Sequence, residues 1–230
     1  MIYISKLFSP ISTGTSAGDI DVGATVKINE NGQAVDYLVV HQGLPSDIYD
    51  SSCEGTWCLR KDIAENRVWD SGSSNVLETS DIQAYLNGDW MNRYDPDVAE
   101  AIKQVKIPYR QNGGSGGTDR NGANGLSCKI FLLSGKEVGW DSSDNQYFPN
   151  DGAKLSYFLD GTGSSANQKR VATLNGSATF WWLRSPNTNR TDDVWHVYYN
   201  GNYRSFNANK FYGVRPCIIL PYSFKFQEVS

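Results

Sequence analysis

The sequence predicts an α+β fold that is rich in β-strands, with two or three short helices and long loops. Three observations carry that expectation. Two β-prone runs flank an Asn-Gly pair at Asn31-Gly32, dense apolar strands at 179–184 and 213–221 close the chain, and 22 glycines point to turns over long helices. The 230 residues suffice for one large domain or two small ones. Only 39% are hydrophobic, yet 13% are aromatic, with seven Trp and thirteen Tyr, so much of the core is expected to be aromatic. The expected organisation is a loose arm over residues 1–18 and one domain over 19–226.

The elements follow in order. Gly23–Glu30 and Ala34–Val40 form a hairpin closed by a primed turn at Asn31-Gly32. Trp57–Val68 reads as a strand with a polar return. Ser80 caps a helix over 81–86 that Gly88 closes, with Ile82, Tyr85 and Leu86 on one face. Asp95 caps a second helix, Pro96 takes its first position, and it continues to Gln104; Val105–Pro108 leaves it extended. The Gly-rich stretch 111–125 lacks the strand–loop–helix setting and the Lys-Ser or Lys-Thr of a phosphate loop, so it reads as a flexible surface loop. Ile130–Leu133 is a buried strand, 154–159 a short helix and 161–167 a mobile loop.

Composition excludes several roles. The net charge of -4 carries no Lys/Arg cluster, so no nucleic-acid partner is expected. No apolar run approaches the ~20 residues of a membrane span, so no membrane insertion is expected. Met1–Phe8 lacks the basic and apolar regions of a signal peptide, so export by the general pathway is not expected. Cys53 and Cys58 have the spacing of a local disulfide or half a zinc site. Cys128 and Cys217 stand alone on apolar strands and read as buried thiols. No cofactor or metal is expected.

Between the two closing strands lies a polar, aromatic segment, Asn187–Tyr212. Val194–Tyr199 is β-prone, Asn200-Gly201 signals a turn, and Asn202–Phe206 returns. Alternation puts Trp195 and Val197 on one face and His196 and Tyr198 on the other, one facing the core and one facing solvent. Tyr and Trp give contact area at low entropic cost, Asn, Ser and Gly give adaptable hydrogen bonds, and Arg190 and Arg204 add planar donors. That is the composition of a paratope, and equally that of an Asn-rich hairpin loop.

Further stretches separate the two readings. Asp36–Gly43, Gly55-Thr56-Trp57, Lys106–Tyr109, Lys129–Ser134, Asn175–Thr179, Trp181-Trp182-Leu183-Arg184-Ser185-Pro186 and Gly213-Val214-Arg215-Pro216 together resemble the variable proteins of diversity-generating retroelements of gut bacteria and their phages. The resemblance implies a C-type lectin-like fold and a surface rewritten by error-prone copying of adenines in Asn codons. Such copying reaches Asn187, Asn189, Arg190, Asp192, Asp193, His196, Tyr198, Tyr199, Arg204, Phe206, Asn207, Asn209 and Phe211, which are therefore the expected ligand-binding positions. It does not reach Trp195 or Lys210. Val194, Trp195, Val197 and Gly201 are expected anchors.

The resemblance further implies a binding protein, in first place a phage tail or receptor-binding component of the virion that recognises a bacterial surface protein or glycan. The frequent threefold symmetry of phage fibres makes a homotrimer an expected assembly. A bacterial surface adhesin of the same fold is the alternative, and a glycan- or cell-wall-processing enzyme is a third reading. Catalysis finds few groups to use. His41 sits at a strand end, His196 lies in the variable face, and Asp192, Asp193 and His196 read more simply as a solvated turn than as a metal site. Cys217 lacks a neighbouring Cys of the kind that formylglycine-generating relatives need, and no carboxylate-rich calcium loop is present.

Overall fold

The computed structural model describes residues 14–161 and 163–226, and its architecture is α+β: short strands dominate and the helices are few and brief. Strands β1 (Thr25–Glu30) and β2 (Gln33–Gln42) form the expected hairpin. Asn31 and Gly32 both take positive φ, 52° and 71°, as a type I′ turn requires. Next, β3 (Thr56–Arg60) pairs with β2, and the chain crosses to a second sheet at β4 (Glu65–Arg67). Helix α1 (Asp81–Asn87) is capped as its sequence indicates, with the Gln83 N–H donating to Ser80 Oγ at 3.3 Å and Gly88 at its end. Helix α2 (Pro96–Ala101) starts at its proline but stops short of Gln104. The Lys103 N–H donates to the Ile219 carbonyl at 2.9 Å, and that tertiary bond takes the chain out of the helix.

Strand β5 (Val105–Ile107) then begins a series of ribbons with β6 (Tyr109–Gln111), β7 (Thr118–Arg120) and β8 (Leu126–Cys128), β6 pairing with β7 and β5 with β8; β9 (Ile130–Phe131) follows. The Gly-rich stretch is thus no flexible surface loop throughout. Thr118–Arg120 is in register with Tyr109–Gln111, and Gly113 and Gly114 are buried. The expected helix at 154–159 is a single 3-10 turn, Ser156–Phe158. The expected mobile loop at 161–167 is mostly helix α3 (Ser164–Arg170), with Thr162 outside the described residues. Buried Arg170 pins it. Its guanidinium stacks 4.2 Å from the Trp140 ring and donates to Val138 O, Asn167 Oδ1 and Gly161 O.

The last third supplies β10 (Ala172–Leu174), β11 (Ser177–Thr179), β12 (Trp181–Pro186), β13 (Asp193–Val197), β14 (Tyr203–Asn207), β15 (Tyr212–Val214) and β16 (Cys217–Leu220). Two five-stranded sheets result, ordered β1-β2-β3-β16-β9 and β14-β13-β12-β15-β4. The chain changes sheets within its closing apolar stretch: β15 lies in the second sheet and β16 in the first. Strands β12 and β16 are buried along their whole length, because one apolar cluster packs on each side. Trp57, Trp181, Leu183, Trp195 and Ile219 belong to one cluster, and Trp69, Trp90, Trp182, Val194 and Ile218 to the other. All seven Trp are buried, and six donate their indole N–H to a protein oxygen.

The described part of the expected loose arm is packed. Ala17 is buried and its N–H donates to Phe224 O at 2.7 Å, while Gly18 N–H donates to Tyr222 O at 3.1 Å. Residues 1–13 lie outside the described residues. The four cysteines are buried free thiols, Cys53 and Cys58 included.

Candidate ligand-binding surface

The hairpin β13–β14 forms the outer edge of the second sheet, and everything beneath it is fixed. Trp195 stacks on Phe148 with ring centroids 4.2 Å apart, and Tyr203 packs edge-on against Trp140, Phe148 and Trp195. Trp195 Nε1 and Thr188 N–H both donate to Tyr147 O. At the turn, Gly201 has φ +79°, and a Cβ there would run into the Asn167 backbone. Val194, Trp195, Val197 and Gly201, the anticipated anchors, are all buried.

The loop entering the hairpin is held by Asn75, which no sequence motif marks. Asn75 is buried; its Nδ2 donates to Arg190 O at 3.0 Å and Asp193 O at 2.9 Å, and its Oδ1 accepts from Gly114 N at 2.9 Å. Asn75 N–H donates to Thr191 O and Ser115 N–H to Arg190 O. A side chain at Gly114 would overlap the carbonyls of Asn187 and Arg190, so the Gly-rich stretch is the seat on which this loop rests.

Of the thirteen expected binding positions, seven are exposed: Asn189, Arg190, Tyr199, Arg204, Phe206, Asn209 and Phe211. Asp192, Asp193, Tyr198 and Asn207 are half-buried. Asn187 and His196 are buried, which corrects their assignment as presented side chains. Asn187 is a strut, its Nδ2 donating to Ser205 Oγ at 3.0 Å and its Oδ1 accepting from Asn189 N at 3.0 Å. His196 fails to reach solvent because the sheet is packed on both faces. It lies 4.6 Å from the Tyr212 ring, 5.8 Å from Trp182 and 5.9 Å from Phe180. Burial, reinforced by the Arg204 charge, pushes its imidazole down to about 3, so it is neutral at ordinary pH.

Four of the exposed residues belong to two groups of side chains, while Phe206, Asn209 and Phe211 stand outside both. At the far end of the hairpin, Tyr198 and Tyr199 meet Phe180 at 4.8 and 6.1 Å, and Tyr212 continues the array at 5.0 Å from Phe180. The Arg204 guanidinium lies 4.6 Å from the Tyr198 ring centroid. Phe180 and Tyr212 were missed as candidates. Phe180 precedes the segment and Tyr212 ends it, and the pairing of β12 with β13 and of β15 with β12 brings them beside the hairpin. At the near end, Asn189, Arg190, Thr191, Asp192 and Ser115 line an open hollow of about 310 Å³. Arg190 and Asp192 pair at 3.2 Å in the open, where such a pair adds little stability.

Asp192, Asp193 and His196 do not converge. Asp193 shares its face of β13 with Trp195 while His196 points to the opposite face, and among the described residues no three His, Cys, Asp or Glu side chains are placed to hold a metal. Burial, then the neighbouring Asp192 charge, pushes the Asp193 carboxyl up.

A family model described as a domain of unknown function, DUF6273, matches residues 54–222. The chain belongs to the DUF6273 family. The family's span takes in both closing strands, the hairpin and its seat, but begins after the β1–β2 hairpin that completes the first sheet. No curated protein and no solved structure matches the chain.

Proposed function

We propose that this chain is a non-enzymatic ligand-binding protein with a C-type lectin-like fold, whose surface at 187–212 is diversified by a retroelement. In this reading it is a phage receptor-binding or tail protein that recognises a bacterial surface protein or glycan. The observation that carries it is the placement of bulk. Among the described residues, six large hydrophobic side chains are exposed, and three of them, Tyr199, Phe206 and Phe211, lie in this one segment. A chain that buries all its Trp yet exposes these aromatics beside Arg190 and Arg204 is arranged as binding hot spots are. The segment's backbone meanwhile rests on Asn75, Gly114, Tyr147 and Asn167, so changing the exposed side chains leaves its supports in place.

The neighbouring DNA tests the reading. A reverse-transcriptase gene and a near-copy of the 187–212 coding region, differing only at adenines, are expected. Differences at other bases, or no such copy, would overturn the proposed origin of the surface. Adjacent phage structural genes are expected; a surface-sorting module there would instead make the chain a bacterial adhesin.

A further inference from the structure

We propose that β14 is a docking edge for an extended peptide strand of a partner protein, one that carries an acidic residue two positions from an apolar one. The inference rests on the reading of 187–212 as a binding surface and names its partner class. Strand β14 has a neighbour on one side only. The bonds Tyr198 N→Asn202 O and Ala208 N→Asp192 O bracket its ladder with β13, in which His196 faces Arg204 and Val194 faces Phe206. In an antiparallel ladder bonding alternates, so Arg204 and Phe206 turn their backbone groups toward β13 while Tyr203, Ser205 and Asn207 turn theirs off the edge. Asn202 Oδ1 accepts from Tyr203 N, and Asn207 O accepts from Lys210 N. Among the described residues this leaves the Ser205 N–H and C=O, the Tyr203 C=O and the Asn207 N–H as an unpaired row. The edge of the first sheet at β1 is treated differently: Asn31 N donates to Arg93 O, Asp95 N donates to Asn29 O, and Glu30 bridges to Tyr94.

A strand added at β14 would bond through the residue opposite Ser205. The residues on either side of it would stand beside Arg204 and Phe206, which share one face and are both exposed. Arg204 is held over Tyr198 and, among the described residues, pairs with no carboxylate; Lys210 lies 5.7 Å from the Phe206 ring and is likewise without one. Asp192, in the loop that enters the hairpin, is already engaged by Arg190 and Asn207. An Asp or Glu beside Arg204 and an aliphatic or aromatic residue beside Phe206 complement this edge in charge and shape.

The test is selection from a displayed library of random nine-residue peptides on the wild-type chain and on Ser205→Pro, which removes the outward N–H at a position where an edge strand tolerates proline. Enrichment of an acidic-x-apolar pattern on the wild type alone is expected. The enriched peptide, made synthetically, should bind about tenfold more weakly when its central residue is N-methylated. Should Ser205→Pro fail to fold by circular dichroism, Arg204→Glu replaces it and should switch the enriched acid to a base. No enrichment over these variants, or concentration-dependent dimerisation of the chain through this edge, overturns the proposal. So do peptides indifferent to N-methylation. If such peptides still lose binding in Tyr199→Ala or Phe211→Ala, the binding surface stands and only strand docking falls; if they do not, the surface falls too.

Discussion

Gly201 and Tyr199 sit two residues apart and should respond to mutation in opposite ways. Gly201 has a positive φ and no room for a Cβ, so Gly201→Ala is expected to cost at least about 2 kcal/mol in chemical denaturation. Tyr199 is exposed, and Tyr199→Ala should stay within about 0.5 kcal/mol of the parent. His196 gives a pH signature. Its folded value of about 3 lies below the ordinary ~6.5, so below pH 6.5 the unfolded chain takes a proton that the folded chain refuses. Stability from this group is present above pH 6.5 and falls as pH drops toward 3. Buried Asp151 acts with the opposite sign: burial raises it to about 7, so its contribution is present below pH 4 and is lost as pH rises to 7. The two slopes oppose each other between pH 4 and 6.5. Relative to the parent, His196→Phe should therefore gain roughly 1.4 kcal/mol per pH unit as pH falls through that window. Parallel pH dependences for the two proteins would show that His196 does not titrate as its packing demands.

Elements with local signals were legible in the sequence; those made by distant contacts were not. The β1–β2 hairpin is announced by Asn31-Gly32 and α1 by Ser80 and Gly88, and both form where the chemistry put them. The β13–β14 hairpin likewise follows its Asn200-Gly201 turn. Helix α3 was read as a loop because its stability comes from Arg170 reaching Val138, Asn167 and Gly161, a set of contacts no local pattern records. The Gly-rich stretch misled for the same reason. Gly114 marks close approach to the carbonyls of Asn187 and Arg190, and its N–H bond to Asn75 Oδ1 joins residues 39 apart in sequence. Period-two alternation assigned the faces of β13 correctly but not their exposure, since it cannot reveal that both are covered. Asn75→Ala should destabilise by about 1–3 kcal/mol, because it strips a donor from the carbonyls of Arg190 and Asp193 and leaves the buried Gly114 N–H without its acceptor. Hydrogen exchange should show faster opening of the Ser115 amide; unchanged exchange there would mean the loop has other supports.

The molecule as a whole separates a hydrogen-bonded interior that holds a buried ion pair from the exposed side chains of the proposed binding surface. Arg184, in the aromatic strand β12, donates to both Glu137 oxygens with neither side chain exposed to solvent, and Tyr49 OH and Ser134 N also donate to Glu137. Arg184 further donates to the carbonyls of Pro108, Leu132 and Asp151. This one side chain ties the second sheet to three loops. Arg184→Met would leave Glu137 buried without its cationic partner, and thermal or chemical denaturation should show a loss of about 3–5 kcal/mol. A loss under about 1 kcal/mol would mean that the pair does not organise the fold.

In the proposed function, binding belongs to exposed side chains that the scaffold does not need. Simultaneous randomisation of Asn189, Arg190, Tyr199, Arg204, Phe206, Asn209 and Phe211, with resistance of each displayed clone to proteolysis as the readout, tests it most directly. Most clones should keep the parent's resistance, whereas a matched library at Asn75, Val194, Trp195, Val197 and Gly201 should lose it. Equal losses in the two libraries would mean that the exposed side chains are part of the scaffold.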